Sequence, residues 1–180
     1  DQFLAKVEQV LAEQASAPLL TPGILASYQK VTQTISELNG VSLVAKNAPL
    51  EPFHPLAQVL ATTAKHFVEE PILQEEVFGP FALVIEYHDI DELVWLVEQL
   101  AGQLTASIHG VDSEIDENHE LTEQLSYKVG RLIFNQMPTG VEVCETMNHG
   151  GPFPSSTDVR STSVGIEAKQ RFLRPICYQS

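Results

Sequence analysis

A thiol and an imidazole lie close together in this sequence, at Cys144 and His149. Such a pair can serve as nucleophile and base when the two meet within hydrogen-bond reach and the thiol is activated. Free cysteines are commonly buried and inert, and nothing in this spacing demands contact. A second candidate is Glu75-Glu76-Val77-Phe78-Gly79-Pro80. A carboxylate there can accept hydrogen bonds from ligand hydroxyls, with Phe78 as a flat wall. The same residues also read as a helix terminus and turn. Ligands of open α/β sheets bind outside the carboxyl ends of strands, whereas this motif precedes its strand. The third candidate is His149-Gly150-Gly151-Pro152-Phe153-Pro154-Ser155-Ser156. Paired glycines let the backbone approach a ligand or another strand closely, and Pro and Phe stiffen and line the wall. An ordinary packed turn has the same composition. The stretch is neither a Walker loop nor G-x-G-x-x-G, so no phosphate cradle is visible. His54, His66, His88, His109 and His119 do not cluster at metal spacing. The six carboxylates between Asp112 and Glu123 lack the oxygen-ligand spacing of a calcium loop and read as a solvated helix face. No metal site is expected.

The elements that must carry these residues follow from periodicity. Phe3, Leu4, Val7, Val10 and Leu11 form one apolar stripe, so residues 2–14 are predicted helical. Thr21 and Pro22 start a second helix that runs to about Leu38 and stops at Asn39-Gly40. Val41–Ala45 reads as a short strand and Leu56–Thr63 as a buried one. The loop between them carries Pro49, Pro52 and Pro55. Phe81–Tyr87 suits a strand covered on both faces. Asp89 caps a helix that ends before Gly102. Thr105–His109 is a strand, Asp116–Lys128 a helix, and Gly130 turns the chain into a strand at Leu132–Asn135. Alternation of this kind predicts an α/β fold, a parallel twisted sheet flanked by helices. Gln136–Ser163 is a long irregular segment, which favours a functional loop. A short helix near Gly165–Gln170 follows. Arg171–Gln179 reads as a terminal strand, and Pro175 restricts it to an edge or inter-chain position.

Composition bounds the rest. A chain of 180 residues favours one domain, or a lobe of a larger protein. With 24 acidic against 10 basic residues the formal net charge is -14, which disfavours a nucleic-acid partner. No run of about 18 apolar residues exists, so no membrane partner is expected. Two cysteines without Cys-x-x-Cys spacing give neither a disulfide framework nor a zinc knuckle, and a reducing cytoplasm is the expected location. The chain opens at Asp1 without an initiator methionine, which reads as a processed or truncated end.

Together, these stretches resemble the C-terminal part of the aldehyde dehydrogenase superfamily. The likeness begins at Leu73-Gln74-Glu75-Glu76-Val77-Phe78-Gly79-Pro80. It continues at Gly130-Arg131-Leu132-Ile133-Phe134-Asn135 and closes at Gly150-Gly151 and Phe172–Tyr178. Met137-Pro138-Thr139-Gly140-Val141-Glu142-Val143-Cys144, His149–Pro154 and Arg160-Ser161-Thr162-Ser163-Val164-Gly165 are similar to a subgroup. That subgroup contains 2-oxoglutarate semialdehyde dehydrogenases and NADP-preferring fatty aldehyde dehydrogenases.

The resemblance implies aldehyde oxidation to a carboxylic acid through a cysteine thioester, with NADP or NAD as cofactor and a small aldehyde as partner. It places the nucleophile, the base and the cofactor-binding domain upstream of Asp1. Residues 1–170 then belong to a catalytic domain inactive by itself, and Cys144 is not the nucleophile. Glu76 matches the residue that bonds the nicotinamide ribose, and Phe78 the aromatic beside the nicotinamide. Asn135 matches a residue that fixes active-site loops. His149 stands where many members carry phenylalanine, so His149, Ser155 or Ser156 is expected to hold a polar substrate end. Gly150 and Phe153 complete the expected pocket. Residues 171–180 match an oligomerisation strand, implying self-association. Two alternatives stay open from the residues themselves: a stand-alone α/β binding domain, and a thiol hydrolase built on Cys144 and His149.

Overall fold

The computed structural model describes residues 2–48, 53–138 and 140–180. Pro49 and Pro52 of the proline loop, and Thr139 of the subgroup motif, lie outside the described residues. The chain divides into two compact units, Asp1–His88 and Asp89–Ser180.

The first unit opens with α1 (Gln2–Ala12), which packs on β1 (Ser42–Lys46) and keeps Phe3 and Val10 exposed. Helix α2 (Pro22–Ser36) starts where Thr21 and Pro22 indicate. The Thr21 hydroxyl accepts from the Ile24 N–H at 3.2 Å, satisfying a donor that the first turn leaves open. Its stripe buries Leu25, Tyr28, Thr32 and Ile35. The chain then turns at Gly40, whose φ of 86° suits glycine. Strand β1 pairs antiparallel with β2 (Gln58–Thr63), because the connection between them is too short for a crossover helix. Buried Asn47 ties the end of β1 to its surroundings: its amide donates to the Gln14 carbonyl and the Ser16 hydroxyl, and its oxygen accepts from the Ala57 N–H at 2.8 Å.

A short helix absent from the periodicity reading, α3 (Ala64–Glu69), follows β2 directly. Its signal is Thr63, whose hydroxyl accepts from the His66 N–H at 3.3 Å. A 3-10 turn (Pro71–Gln74) leads through the Glu75–Pro80 loop into β3 (Phe81–Glu86), which pairs parallel with β2. The sheet is therefore mixed, in the order β1-β2-β3. Its core is Leu60, Ala61, Ala64, Phe67 and Leu73 with the α2 stripe. Strand β3 is half-buried along most of its length, not covered on both faces as its apolar run predicts.

The second unit begins with α4 (Ile90–Gln99), capped by Asp89, whose carboxylate accepts from the Glu92 N–H at 2.9 Å. Strands β4 (Gln103–Ile108) and β5 (Val129–Phe134) pair in parallel. The acidic helix between them is two helices, α5 (Asp112–Glu117) and α6 (His119–Lys128). They break at Asn118, whose side-chain amide takes the Glu114 carbonyl at 2.7 Å and ends the first helix. Helix α6 packs on α4 and β5. The Lys128 ammonium donates to the Glu98 and Leu100 carbonyls at 2.8 and 2.9 Å, closing the end of α4. Gly130 lies inside β5 and is not a turn. Residues 135–138 and 140–165 are irregular, followed by a 3-10 turn (Ile166–Phe172). Residues 173–180 form no strand within the chain and are exposed. A strand needs a ladder partner, and Pro175 offers no N–H.

Candidate functional site

The Glu75–Pro80 loop is held from below by Tyr28. The ring lies so close to Gly79 that a Cβ there would sit 2.7 Å from Cε2 and nearer still to Cδ2. The Tyr28 hydroxyl donates to the Leu56 carbonyl at 2.6 Å, with the Pro80 carbonyl also in reach at 3.1 Å. The Pro80 carbonyl also accepts from the Gln58 N–H at 3.0 Å. Burial pushes the Tyr28 phenol up to about 12, against a weaker opposing effect from the Gln58 side chain. A rigid turn thus presents Glu76 and Phe78 outward. Glu76 is exposed and Phe78 is 66% exposed. The carboxylate can accept from vicinal hydroxyls, and the ring offers a flat apolar face.

In the second unit, the Gly150-Gly151 pair lies across the amino ends of β4 and β5. A Cβ on Gly151 would fall 2.5 Å from the Gln103 carbonyl oxygen, and one on Gly130 would fall within the Gly150 carbonyl. The glycines therefore serve backbone packing here. The Asn148 amide donates to the Gly130 carbonyl at 3.0 Å. The His149 N–H donates to the buried Thr162 hydroxyl at 2.8 Å, and the Ser163 N–H returns to the His149 carbonyl at 3.1 Å. His149 and Ser156 line one polar cleft of about 660 Å³, together with Arg160, Ser161, Gln170 and Arg171. Ser155 turns away from it: its hydroxyl donates to the Pro152 carbonyl at 2.6 Å. Phe153 is exposed. Asp158 is held below its ordinary carboxylate value, first by the Ser161 hydroxyl at 2.5 Å and then by the Arg160 N–H at 3.1 Å.

Asn135 lies at the other end of the strand pair, about 16 Å along β5 from Gly130 at the usual rise. Its φ is 54°, and its amide exchanges two 3.0 Å hydrogen bonds with Gly110. It locks the two strand ends and does not join His149 in the cleft. The Cys144 thiol has the Thr146 hydroxyl at 3.8 Å as its contact, not an imidazole. Among the described residues no group of three His, Cys, Asp or Glu side chains could hold a metal ion.

Sequence patterning does not single out Arg131, although a charged residue between Gly130 and the apolar Leu132–Phe134 is a signal. Its guanidinium donates to the Gly140 carbonyl at 2.6 Å and reaches the Met147 sulfur at 3.5 Å, while its Nε is buried and unpartnered. Arg131 latches the loop that runs from Asn135 to His149. Arg131→Met keeps the stem and removes the donors, so it should cost about 1–3 kcal/mol. Urea unfolding with limited proteolysis between residues 136 and 148 checks this; unchanged midpoint and cleavage rate would refute the latch.

Comparison with known proteins finds a family that matches a span containing both stretches. The aldehyde dehydrogenase family matches residues 55–173. Alpha-ketoglutaric semialdehyde dehydrogenase 2 of Azospirillum brasilense is 39% identical over 180 residues, covering 99% of this chain and 34% of its own length. Alpha-ketoglutaric semialdehyde dehydrogenase of Acinetobacter baylyi is 40% identical over 182 residues, covering 100% and 35%. A crystal structure of Staphylococcus aureus betaine aldehyde dehydrogenase in complex with NAD+ superposes with a TM-score of 0.74 at 15% identity, covering 96% of this chain and 35% of that one. This chain spans about a third of the length of the curated relatives it matches. A turn that presents Glu76 and Phe78, and paired glycines set across two parallel strands, thus occur in a chain that belongs to the aldehyde dehydrogenase family.

Proposed function

We propose that this chain is the C-terminal catalytic part of an enzyme that oxidises an aldehyde with a remote carboxylate, of the 2-oxoglutarate semialdehyde type, to the dicarboxylic acid. The observation that carries the substrate is the name shared by the two relatives, each matching essentially the whole chain. A fatty aldehyde is the competing substrate. Thioester chemistry needs an activated thiolate, an oxyanion hole and a base for water. The Cys144 thiol has a hydroxyl neighbour and no hydrogen bond to an imidazole or carboxylate among the described residues, so we assign the nucleophile to residues outside this chain and infer that it is inactive by itself. NAD or NADP, when bound, supplies the hydride acceptor. The residues present fit such a group: Glu76 is a free-standing acceptor for ribose hydroxyls, and Phe78 is an exposed ring on a turn that Tyr28 prevents from yielding.

His149 and Ser156 stand on the wall of the polar cleft and are assigned to the polar end of the substrate. Arg131 and Asn135 keep the intervening loop in place. Residues 173–180, exposed and bearing Leu173, Ile176 and Tyr178, are assigned to pairing with a second copy. Cys144 and Cys177 are free thiols, which supports a cytoplasmic site of action. No helix of the described residues is long and apolar enough to cross a membrane.

The test is a steady-state assay of the full-length enzyme with 2-oxoglutarate semialdehyde and with propanal, following reduced nicotinamide. The carboxylated aldehyde should be preferred in kcat/KM by tenfold or more. His149→Phe should reduce kcat/KM for the carboxylated aldehyde about tenfold, roughly 1.4 kcal/mol, and change propanal far less. Equal effects on both would remove His149 from recognition, and no turnover of either aldehyde would sink the proposed activity.

A further inference from the structure

In a chain with 24 acidic and 10 basic residues, Arg160, Lys169, Arg171 and Arg174 put four of the ten into fifteen positions. Within that stretch Glu167 is the sole carboxylate, and it is engaged by Lys169 at 3.8 Å and by the Gln170 amide at 3.1 Å. Two of these cations, Arg160 and Arg171, stand on the cleft of about 660 Å³ that His149 also lines. That volume falls within the usual range for small-ligand sites.

The one carboxylate on the cleft wall is already spent. Asp158 accepts from the Ser161 hydroxyl and the Arg160 N–H, and its Oδ1 lies 3.5 Å from Arg160 Nε. Arg171 lies over the Phe172 ring at 5.5 Å, a contact that orients the guanidinium plane without neutralising its charge. No ion pair joins it to an acid among the described residues. Thr157, Ser161 and Ser163 also line the cleft, with the Ser161 hydroxyl donating to Asp158 and the Ser163 hydroxyl to the His149 carbonyl. Two guanidinium forks on a cleft whose one carboxylate is engaged match an oxyanion, and guanidinium prefers planar carboxylate through paired hydrogen bonds.

We infer that the cleft between the His149–Ser163 loop and the Ile166–Phe172 turn is a carboxylate-binding site whose principal ligand is Arg171, with Arg160 as the second. The inference rests on the proposed function only for the source of the carboxylate. That source is either the remote end of the substrate or a separate small dicarboxylic acid.

The experiment is calorimetric titration of the full-length enzyme with glutarate, without cofactor, in buffers of rising sodium chloride. Wild type should bind glutarate, and affinity should fall with salt. Arg171→Gln should weaken binding about tenfold or more, and Arg171→Lys should restore part of it, because the charge returns without the fork. Arg160→Gln should lose less, since that side chain is shared with Asp158. Thermal melts of each variant report folding. Competitive inhibition of aldehyde oxidation by glutarate identifies the substrate's carboxylate as the source, and non-competitive inhibition identifies a separate acid; both support the site. No glutarate binding by wild type, or an affinity unmoved by Arg171→Gln in a folded protein, overturns it. Arginine-dependent binding without any aldehyde turnover would retain the site and reject the proposed activity instead.

Discussion

Gly130→Ala should destabilise the second unit by about 3 kcal/mol or more, at the severe end for a single methyl group. The added Cβ would fall within the Gly150 carbonyl, 2.6 Å from its carbon. Both partners are backbone, so no side chain can rotate away. Nor can the Gly150 segment retreat freely. Gly151 is packed against the Gln103 carbonyl of β4, and Gly150 faces the Ser161 carbonyl at 2.8 Å from its own missing Cβ. Any shift therefore propagates into the strand pair and into the wall that carries His149. Gly140→Ala is the control, because nothing lies within 4 Å of that position. It should change stability by no more than about 0.5 kcal/mol. Urea unfolding followed through Trp95 in α4, the single tryptophan, compares the two. Equal midpoints for both variants would mean that Gly130 is not packed as described.

Much of this arrangement was legible in residue types. Thr21-Pro22 and Asp89 mark helix starts because each supplies an oxygen to a first-turn N–H, a local interaction that needs no tertiary knowledge. Phe81–Glu86 is legible as a strand from its apolar run. What spacing could not show depends on contacts distant in sequence. Gly130 reads as a turn glycine until Gly150 is placed against it. The antiparallel pairing of β1 depends on the connection to β2, not on the composition of either strand. The resemblance puts Asn135 and His149 in one substrate pocket, yet Asn135 follows the carboxyl end of β5 while His149 lies beside the glycines at its amino end. Arg160 and Arg171 share a cleft only because the loop folds back from Thr162, whose buried hydroxyl joins the His149 N–H to the Val164 carbonyl.

Gly79→Ala should strain the first unit's Glu75–Pro80 turn and cost about 3 kcal/mol, since the new Cβ would overlap the Tyr28 ring at a φ of 154°. Tyr28 is 2% exposed and belongs to the α2 stripe that also buries Leu25, Thr32 and Ile35, so its ring has little room to move. Tyr28→Phe isolates the hydroxyl from the ring. It removes the donor to the Leu56 carbonyl and should cost about 1–2 kcal/mol at neutral pH. The pH dependence separates this loss from simple packing. The folded phenol titrates near 12, above its ordinary 10.0, because burial disfavours the phenolate. The unfolded chain therefore ionises first as pH rises. The stabilisation is complete below pH 10 and is lost between 10 and 12, by up to about 3 kcal/mol from this group. Tyr28→Phe should flatten that part of the profile, while Gly79→Ala should lower the whole curve and leave its slope. On the cofactor role proposed for Glu76 and Phe78, both variants should raise KM for the cofactor in the full-length enzyme, because the turn that presents them is less firmly held. A Tyr28→Phe variant that keeps the wild-type decline between pH 10 and 12 would show that this phenol is not the group held neutral beneath the turn.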